Sequence, residues 1–552
     1  MNTQNALPSI LQQIAKIQTM ERGKLSVIKE SSAGPFYKIQ AREQGKNVTR
    51  YVPREQVGAV REAIEGYQRF ESLTEQYAQQ VIDRTRQAIA AGSKKKSPAP
   101  DFLLARDEEI QQLMTRLLAT DPGQLAVQEL DFEVLLRAAV FKSTNELMAH
   151  LFQRLADRID AGYQPKPGFV RKGRALLTID CIFGSFPIER DYYYHEGKQL
   201  GHYPTDAALG LQAGGKTPAL ARLVCLEGAD QDSYQQAEEH LKETGGIHIS
   251  ARQIQRLVQQ VGGAAQIWQE REALKPLPET KPVPIFYISA DATGVPMRKE
   301  ELESRKGKQP DGSAKTRSAY LGCVFTQHKT DEKGHPVRDY EATTYVSNMG
   351  PLEAFGPLLR QEAIRRGLGQ AKKVVFLVDG AEGLENMGHL NFKDATQIVD
   401  FFHGADHAGD VVAALLGSKE HPQYKARRSR WVRRLLGNGV KNLIEETRQE
   451  CAGKPQAQKV YEELGYFVHN IERMQYRTFR RQGLFIGSGV VEAGCKTVIG
   501  SRCKQSGMFW GTPGAENVLA LRCIHASRRR DQFWKERLNT HAAANDCLSL
   551  MA

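Results

Sequence analysis

The chain has 552 residues, more than a single hydrophobic core usually supports, so we expect three or four domains. Hydrophobic residues make up 41% and charged residues 25%, the usual balance for a globular protein. Lys and Arg number 76 against 64 Asp and Glu, and the net charge of +12 favours a polyanionic partner such as nucleic acid. Charge alone leaves this question open, because many globular proteins are mildly basic.

Eight cysteines are scattered along the chain with no Cys-x-x-Cys pair. This pattern argues against a structural zinc module and against the disulfide framework of a secreted protein. The first residues do not form a signal peptide, and no apolar run approaches the roughly 20 residues that a membrane helix needs. We therefore expect a cytoplasmic protein of a reducing compartment, with no membrane partner.

Residues 1–91 are predicted to form a small accessory domain, a β-hairpin followed by a helix. A helical pattern over Leu7–Ile17 comes first. Three alternating stretches follow, over 24–29, 36–42 and 48–52. Pro53 then opens a long polar helical run to the end of the unit. Residues 92–102 are basic and contain proline, which is typical of a linker.

Residues 103–275 are predicted to form a helical and β-hairpin region that binds DNA. Helical periodicity continues to about Ile159. The segment Ala175–Tyr194 then alternates on both sides of the turn Phe183-Gly-Ser-Phe186, which predicts a β-hairpin.

Two short helical segments, Ser233–Lys242 and Ser250–Val261, indicate a helix-turn-helix over 233–262. Ser250 is a suitable N-cap, and the glycines of Thr244-Gly-Gly246 permit a sharp turn between the segments. The alternative is a plain helical hairpin, since such pairs are common. The base-reading side chains of a recognition helix would be Arg252, Gln253, Gln255 and Arg256.

The apolar, aromatic segment Val283–Asp291 is predicted to be a strand that ends on a carboxylate. After a charged loop, two further strands and a helix follow. A fully apolar strand then ends on a second carboxylate, Asp379. A lone Asp after a strand is often only a turn residue, but two such strand ends in this order are much stronger evidence of a site.

This β-β-β-α-β order is that of the ribonuclease H fold, in which the first and fourth strands lie side by side. Asp291 and Asp379 are then expected to point into one space, although they lie far apart in the chain. The third acid should lie on a later helix packed against the sheet. Glu492, in the segment Gly487-Ser-Gly-Val-Val-Glu-Ala-Gly-Cys-Lys496, fits that position, and Lys496 lies one turn on, within reach of Glu492 or a phosphate.

Three carboxylates suit a pair of Mg²⁺ ions, for which Mn²⁺ can substitute. Two divalent ions about 3.5–4 Å apart activate an attacking oxygen and stabilise a leaving one. Mg²⁺ prefers carboxylate oxygens and retained waters, so no Cys or His ligand is required. The predicted metal ligands and catalytic residues are therefore Asp291, Asp379 and Glu492.

Four stretches carry a family resemblance: Ser289–Pro296, Phe376–Ala381, Ile398–His403 with Asp406-His407, and Gly487–Lys496. They resemble bacterial insertion-sequence transposases of the DDE class, most closely the ISKra type. The similarity covers roughly residues 175–535, and the glutamate motif is its specific part. The resemblance implies a nucleoid-associated bacterial enzyme that acts on duplex DNA and self-associates as a dimer or larger assembly.

The resemblance also implies a helical insertion, because more residues separate Asp379 from Glu492 than a bare ribonuclease H core requires. The excess, about 407–481, has helical spacing. In hAT and Mutator-like transposases the insertion begins after an acid-x-x-His motif, matched here by Asp400-Phe-Phe-His403. We expect His403 to act at the catalytic site, where it would contact the scissile phosphate or hold the site in order. The alternative is a structural histidine whose ring is satisfied by hydrogen bonds at a strand end.

Basic and aromatic side chains near the insertion and the glutamate helix are predicted to contact DNA. Trp431 would stack on an unpaired base and Trp510 would line the DNA channel, with packing in the core as the alternative for both. These predicted contacts are Arg427, Arg428, Arg430, Trp431, Arg434, Lys496, Arg502, Lys504 and Trp510. Relatives often carry a cysteine pair near position 195, where this chain has Tyr194-His-Glu-Gly-Lys198, so we predict no structural zinc.

The predicted fold is an α/β core of ribonuclease H type, a mixed five-stranded sheet with helices, preceded by α+β and helical DNA-binding domains. The core is predicted to occupy 276–406 and 482–552, interrupted by the all-α insertion 407–481. The second part of the core contains the glutamate helix and a basic tail. The predicted function is a transposase that binds the terminal inverted repeats of its insertion sequence, then cleaves those ends and joins them to target DNA. The alternatives are a structure-selective nuclease on the same fold that never joins strands, and a domesticated DNA-binding repressor. The presence of all three acids disfavours the repressor.

Overall fold

The computed structural model describes residues 6–30, 34–43, 46–90, 111–119 except 113 and 117, 125–274, 282–303 and 314–539. The chain divides into two compact units, Met1–Ala105 and Arg106–Ala552. The predicted linker over 92–102 lies outside the described residues. Within the described ranges, no helix is long and apolar enough to cross a membrane.

The first unit is a three-stranded antiparallel sheet with two helices, α1 and α2. The predicted strand over 24–29 does form, and it pairs beside the predicted hairpin to complete the sheet. Ile39 and Val52 on one face of the sheet pack against Ile64 of α2. The elements are α1 (Ala6–Ala15), β1 (Lys24–Lys29), β2 (Phe36–Glu43), β3 (Lys46–Val52) and α2 (Val57–Ala90).

The second unit begins with a long helix and the predicted β-hairpin, whose strands pair over their whole length. Three short helical elements and one long helix follow. The elements are α3 (Leu125–Gly162), β4 (Val170–Cys181), β5 (Gly184–His195), β6 (Leu200–His202), α4 (Pro204–Ala208), α5 (Pro218–Asp230), α6 (Tyr234–Gly245) and α7 (Ala251–Leu274).

Helices α6 and α7 form where the sequence predicted a helix-turn-helix. Helix α6 ends at Gly246, whose φ of 63° is a left-handed conformation that glycine adopts without strain. Ser250 caps α7 as predicted, and it exchanges hydrogen bonds with Gln253, since the backbone N–H of each residue donates to the side chain of the other. Gln253 therefore has a structural contact at the position predicted for base reading.

Helix α7 is longer than predicted, and its buried side belongs to the main hydrophobic core. It packs against α17 (Thr512–Ala526), and the two helices are joined by side-chain hydrogen bonds from Asn517 to Gln259 and from Gln266 to Asn517. The last part of the predicted region 103–275, from α5 to α7, thus shares one hydrophobic core with the central sheet, within the unit that starts at Arg106.

A mixed five-stranded sheet with strand order β11-β8-β7-β12-β13 occupies the centre of this unit. Strands β7 and β12, the first and fourth in chain order, are parallel neighbours as predicted, while β8 and β11 are antiparallel. The elements are β7 (Val283–Pro296), β8 (Thr316–Gln327), β9 (Lys329–Thr330), β10 (Pro336–Val337), β11 (Thr344–Asn348), α8 (Leu352–Arg365), β12 (Ala371–Val378), α9 (Glu382–Asn391) and β13 (Thr396–Val399).

The prediction that the first strand ends at Asp291 is wrong, because β7 continues to Pro296. Among the described strands, only one pairs with this continuation, and its end also accepts a hydrogen bond from the Trp510 backbone N–H. Strand β8 pairs with β7 as far as Pro296, whereas the pairing with β12 ends at Ser289. Asp291 therefore lies inside a strand, just beyond the point where β12 stops.

The segment between the sheet and the glutamate helix is helical, as predicted, although its first helix starts at Phe401 rather than near residue 407. The glutamate helix begins at Gly489 and continues through a π-helical turn over Cys495–Gly500. The helices are α10 (Phe401–Leu416), α11 (Tyr424–Leu436), α12 (Val440–Cys451), α13 (Ala457–Asn470), α14 (Tyr476–Arg481), α15 (Gly489–Gly494), α16 (Ser501–Cys503), α17, and a last helix over 530–539.

The packing of α7 on α17 depends on Gly262. A Cβ at this position would lie 2.5 Å from the backbone oxygen of Asn517, whereas at the next residue, Gly263, it would meet only the Asn517 side chain at 3.7 Å. We predict that Gly262→Ala lowers the free energy of unfolding by about 1–3 kcal/mol because the helices must separate. Gly263→Ala should be neutral or stabilising by up to about 1 kcal/mol because alanine favours helix.

Urea unfolding of the two variants, followed by tryptophan fluorescence, measures this difference. Equal stability of the two variants would contradict close packing of the predicted helix-turn-helix region on the core.

Candidate metal centre

The register of the three parallel strands places three aspartates level with one another. Leu377 of β12 is opposite Ser289 of β7, so two residues further Asp379 is level with Asp291. Val378 is opposite Val399 of β13, so Asp379 is also level with Asp400. Neighbouring strands lie about 4.8 Å apart, and the register thus brings these acids to one edge of the sheet.

Asp291 is a half-buried carboxylate close to a second acid. Burial raises its pKa, and the negative charge of Asp379 raises it further. The backbone N–H of Ala292 donates to Asp291 at 2.7 Å, and the thiol of Cys495 also hydrogen-bonds to it. These two contacts lower the pKa in part, as does the nearby charge of His403.

Asp379 lies in a tight turn that the helical segment holds in place. The backbone N–H of Ala381 donates to its carboxylate at 2.9 Å. The hydroxyl of Tyr466 in α13 donates to its backbone carbonyl at 2.8 Å. Gly380 has a φ of 90°, and a Cβ there would lie 2.9 Å from the Tyr466 hydroxyl, so both the turn and its contact with α13 require glycine.

Glu492 reaches the site because α15 lies very close to the sheet. A Cβ on Gly494 would be 2.7 Å from the ring of Tyr345 and 2.9 Å from Leu321, so only glycine permits this approach. Ser488 precedes the helix, and its hydroxyl donates to the Glu492 carboxylate at 2.5 Å. Val491 is buried on the sheet side, while Glu492 remains partly exposed.

Asp400 and His403 form a hydrogen-bonded pair at the start of α10. Asp400 is fully buried. Its carboxylate accepts hydrogen bonds from the backbone N–H of His403, at 2.7 Å, and from the backbone N–H of Ser488. The same carboxylate lies 3.1 Å from Nδ1 of the His403 ring and hydrogen-bonds to it. The hydrogen bond to Asp400 raises the pKa of His403 to about 9, although burial opposes the shift, and the charges of Asp379 and Glu492 contribute. The contact with Asp400 therefore favours the protonated form of the His403 ring.

Asp400, His403 and Glu492 each place one possible ligand atom within 4.8 Å of the others. His407, Asp410 and Glu463 form a similar group on the helical segment, where Asp410 also pairs with Lys419 at 2.8 Å. Among the described residues, no such group unites Asp291 with Asp379 and Glu492. His403 nevertheless lies close enough to Asp379, Glu492 and Asp291 for their charges to interact.

Four residues that shape the site had no role assigned to them from the sequence. Asp400 and Ser488 lie inside the motifs that carry the resemblance, so their presence was visible but their hydrogen bonds were not. Cys495 lies three residues after Glu492, one turn along the helix. Tyr466 carried no signal, because its role depends on α13 lying beside the turn at Asp379.

Three predicted DNA contacts are wrong, because the side chains are buried. Trp431 packs against Phe467 with ring centroids 5.1 Å apart. Trp510 donates its ring N–H to the Cys503 carbonyl. Arg502 is 1% exposed and donates to carbonyls of Gly228 and Asp232, between the rings of Tyr234 and Trp510. These contacts fix Arg502 as a core residue, with its charge distributed over carbonyls and aromatic faces.

The other predicted DNA contacts lie at the surface, but several have acidic partners. Arg427, Arg428 and Arg434 form ion pairs with Glu450, Asp406 and Glu446, respectively. The Lys504 ammonium donates to the hydroxyl of Thr293, two residues beyond Asp291 on β7. The remaining predicted contacts are exposed, namely Arg252, Gln253, Arg256, Arg430 and Lys496.

Comparisons with known proteins give limited matches. A family model described as "Uncharacterised protein family (UPF0236)" matches residues 122–318. No curated protein matches the chain. The solved structure of the Drosophila P element transposase strand transfer complex is similar at 12% identity over 58% of this chain and 80% of that chain. Its TM-score is 0.22, which does not establish a common fold.

The pair of Asp400 and His403 makes a testable prediction about charge. Asp400→Asn should lower the pKa of His403 from about 9 toward the ordinary value of 6.5, because the largest cause of the increase is removed. In the parent protein the Asp400–His403 pair stabilises the fold fully below about pH 6.5. That stabilisation is lost as the pH rises through about 9, where His403 loses its proton. NMR titration of protein with ¹³C-labelled histidine measures the shift.

Asp406→Asn on the same helix removes an equal charge from an exposed residue and should leave the His403 titration unchanged. An unchanged His403 pKa in the Asp400 variant would rule out Asp400 as the cause.

Proposed function

We propose that the chain is a DNA transposase whose catalytic sheet is of ribonuclease H type. The observation that carries this proposal is the strand register, which puts Asp379 level with Asp291 on neighbouring parallel strands. The sheet order, with the first strand between the second and the fourth, is the order expected for that fold. Glu492 lies on a helix packed against the same sheet, which supports its assignment as the third acid.

The donor set fits Mg²⁺. Asp291, Asp379 and Glu492 offer only carboxylate oxygens, and these are the ligands that Mg²⁺ prefers. The raised pKa of Asp291 beside Asp379 reflects a desolvated carboxylate next to a like charge, an arrangement that a divalent cation would stabilise. When bound, two such ions would activate the attacking oxygen and stabilise the leaving oxygen of a phosphodiester.

The chain's own residues then have distinct tasks. His403 lies against Asp400 and could donate a ring N–H to a phosphate oxygen at the cut, as the phosphate-contact hypothesis requires. Asp400 is a positioning residue, since its oxygens bind His403 and the Ser488 backbone. Ser488 in turn orients Glu492 through its hydroxyl.

The DNA would pass over the edge of the sheet where the acids lie. Lys504, which donates to Thr293 near Asp291, and Lys496, an exposed residue one turn beyond Glu492, could neutralise phosphates near the cut. The exposed cations of α11 and of the start of α7 would contact DNA farther away. Because two transposon ends must be held together, the active form is expected to be a dimer or larger assembly.

The triad has a direct test. Asp291→Asn, Asp379→Asn and Glu492→Gln should each lower Mg²⁺-dependent cleavage of a labelled end by about 10³-fold or more, since each removes several kcal/mol of metal-mediated stabilisation. Duplex binding should survive, because no phosphate-binding cation is changed. The substrate is the DNA that flanks the coding region, and cleavage is measured on denaturing gels.

Asp394→Asn, a matched change of an exposed acid just before β13, should keep full cleavage. Full strand transfer by any of the three triad variants with Mg²⁺ would remove that residue from the site.

A second experiment separates a transposase from a nuclease on the same fold. Labelled ends, Mg²⁺ and a plasmid target are incubated with the parent protein. A transposase joins the 3′-hydroxyl of the end to the plasmid, whereas a nuclease yields only shortened ends. Cleavage without any joined product would reject the transposase in favour of the nuclease.

A further inference from the structure

One face of the sheet in the first unit points away from α2, and most of its described side chains are exposed. Helix α2 packs on the side of Ile39 and Val52, so alternate residues of the strands point away from it. Strand pairing places ten side chains on this second side, which we call the outer face. Its members are Lys24, Ser26 and Lys29 on β1, Phe36, Lys38, Gln40 and Arg42 on β2, and Asn47, Thr49 and Tyr51 on β3.

The outer face is positively charged and carries no acid. Four of its ten residues are Lys or Arg, and none is Asp or Glu. An ordinary solvated surface mixes both signs, as the exposed side of α2 does with Arg61, Glu62, Glu65 and Arg69. A face of one sign is complementary to a polyanion.

Two aromatic rings lie on the same face. Phe36 and Tyr51 are 43% and 58% exposed, and their ring centroids are 6.3 Å apart. Between them and the far end of the sheet lie Gln40, Asn47 and Thr49, whose amide and hydroxyl groups can donate and accept hydrogen bonds. Side chains of these types contact base edges and thymine methyl groups in DNA.

We propose that the outer face is a duplex-DNA binding surface that lies in the major groove. Three strands about 4.8 Å apart form a face roughly 10 Å wide, comparable with the major groove at about 12 Å. The lysines would contact the phosphates on either side, while the central polar residues would face the bases. The choice of DNA over other polyanions rests on the proposed function; the surface itself is independent of the acids of the metal centre.

Full-length protein with Lys29→Gln and Lys38→Gln tests the proposal, with fluorescence anisotropy of a labelled 20-base-pair duplex in EDTA as the readout. We expect roughly tenfold or greater loss of affinity near 0.1 M salt. The slope of log K against log salt should become shallower by about 1.8, since each lost phosphate contact accounts for about 0.9. The matched control, Arg61→Gln with Arg69→Gln, removes the same charge from the exposed side of α2 and should bind like the parent.

Thermal unfolding checks that both double variants remain folded. An equal loss in both variants would overturn the proposal, because net charge rather than the outer face would then decide binding. A second result would also overturn the proposal: the Lys29 and Lys38 variant loses affinity for a labelled single strand but not for the duplex. That result would favour base stacking on Phe36 and Tyr51. Since EDTA prevents metal-dependent cleavage, the outcome is independent of the triad, and a protein that binds but never cuts would refute only the proposed function.

Discussion

The buried carboxylate of Asp400 is the group on which the geometry of the candidate site depends. A charge without solvent is tolerated only when donors surround it, and Asp400 obtains them from His403 and Ser488. These donors belong to the start of α10 and to the loop before α15, while Asp400 itself follows β13. Satisfying one side chain therefore draws together the sheet edge, the helical segment and the helix of Glu492.

The placement of the acids was predictable from local pattern, but the length of the first strand was not. Apolar runs followed by Asp291 and Asp379, in the observed order, are enough to infer that the two strands are neighbours, because few topologies accommodate that order. The continuation of β7 to Pro296 depends on its pairing with residues near Thr316, which are distant in sequence and do not alter the local pattern.

The same limit explains the errors at Arg502 and Trp510. In sequence, an arginine and a tryptophan near basic residues resemble a DNA contact. In the structure, the carbonyls of Gly228 and Asp232 approach Arg502 from a helix end more than two hundred residues earlier, and they supply the partners that burial requires. Tyr466 was missed for the same reason. Its hydroxyl contacts the backbone of Asp379, which is distant in sequence, and nothing in the residues around Tyr466 indicates that contact.

The close packing of α7 on α17 has a consequence for how this chain can be divided. Asn517 is held between Gln259 and Gln266, and the apolar sides of both helices belong to one core. A truncated protein starting after residue 275 would expose the apolar side of α17 to water, and such a surface promotes aggregation. Helix α7 therefore cannot be exchanged independently of α17, and a chimera in this region would have to keep the α7 backbone and replace only exposed side chains.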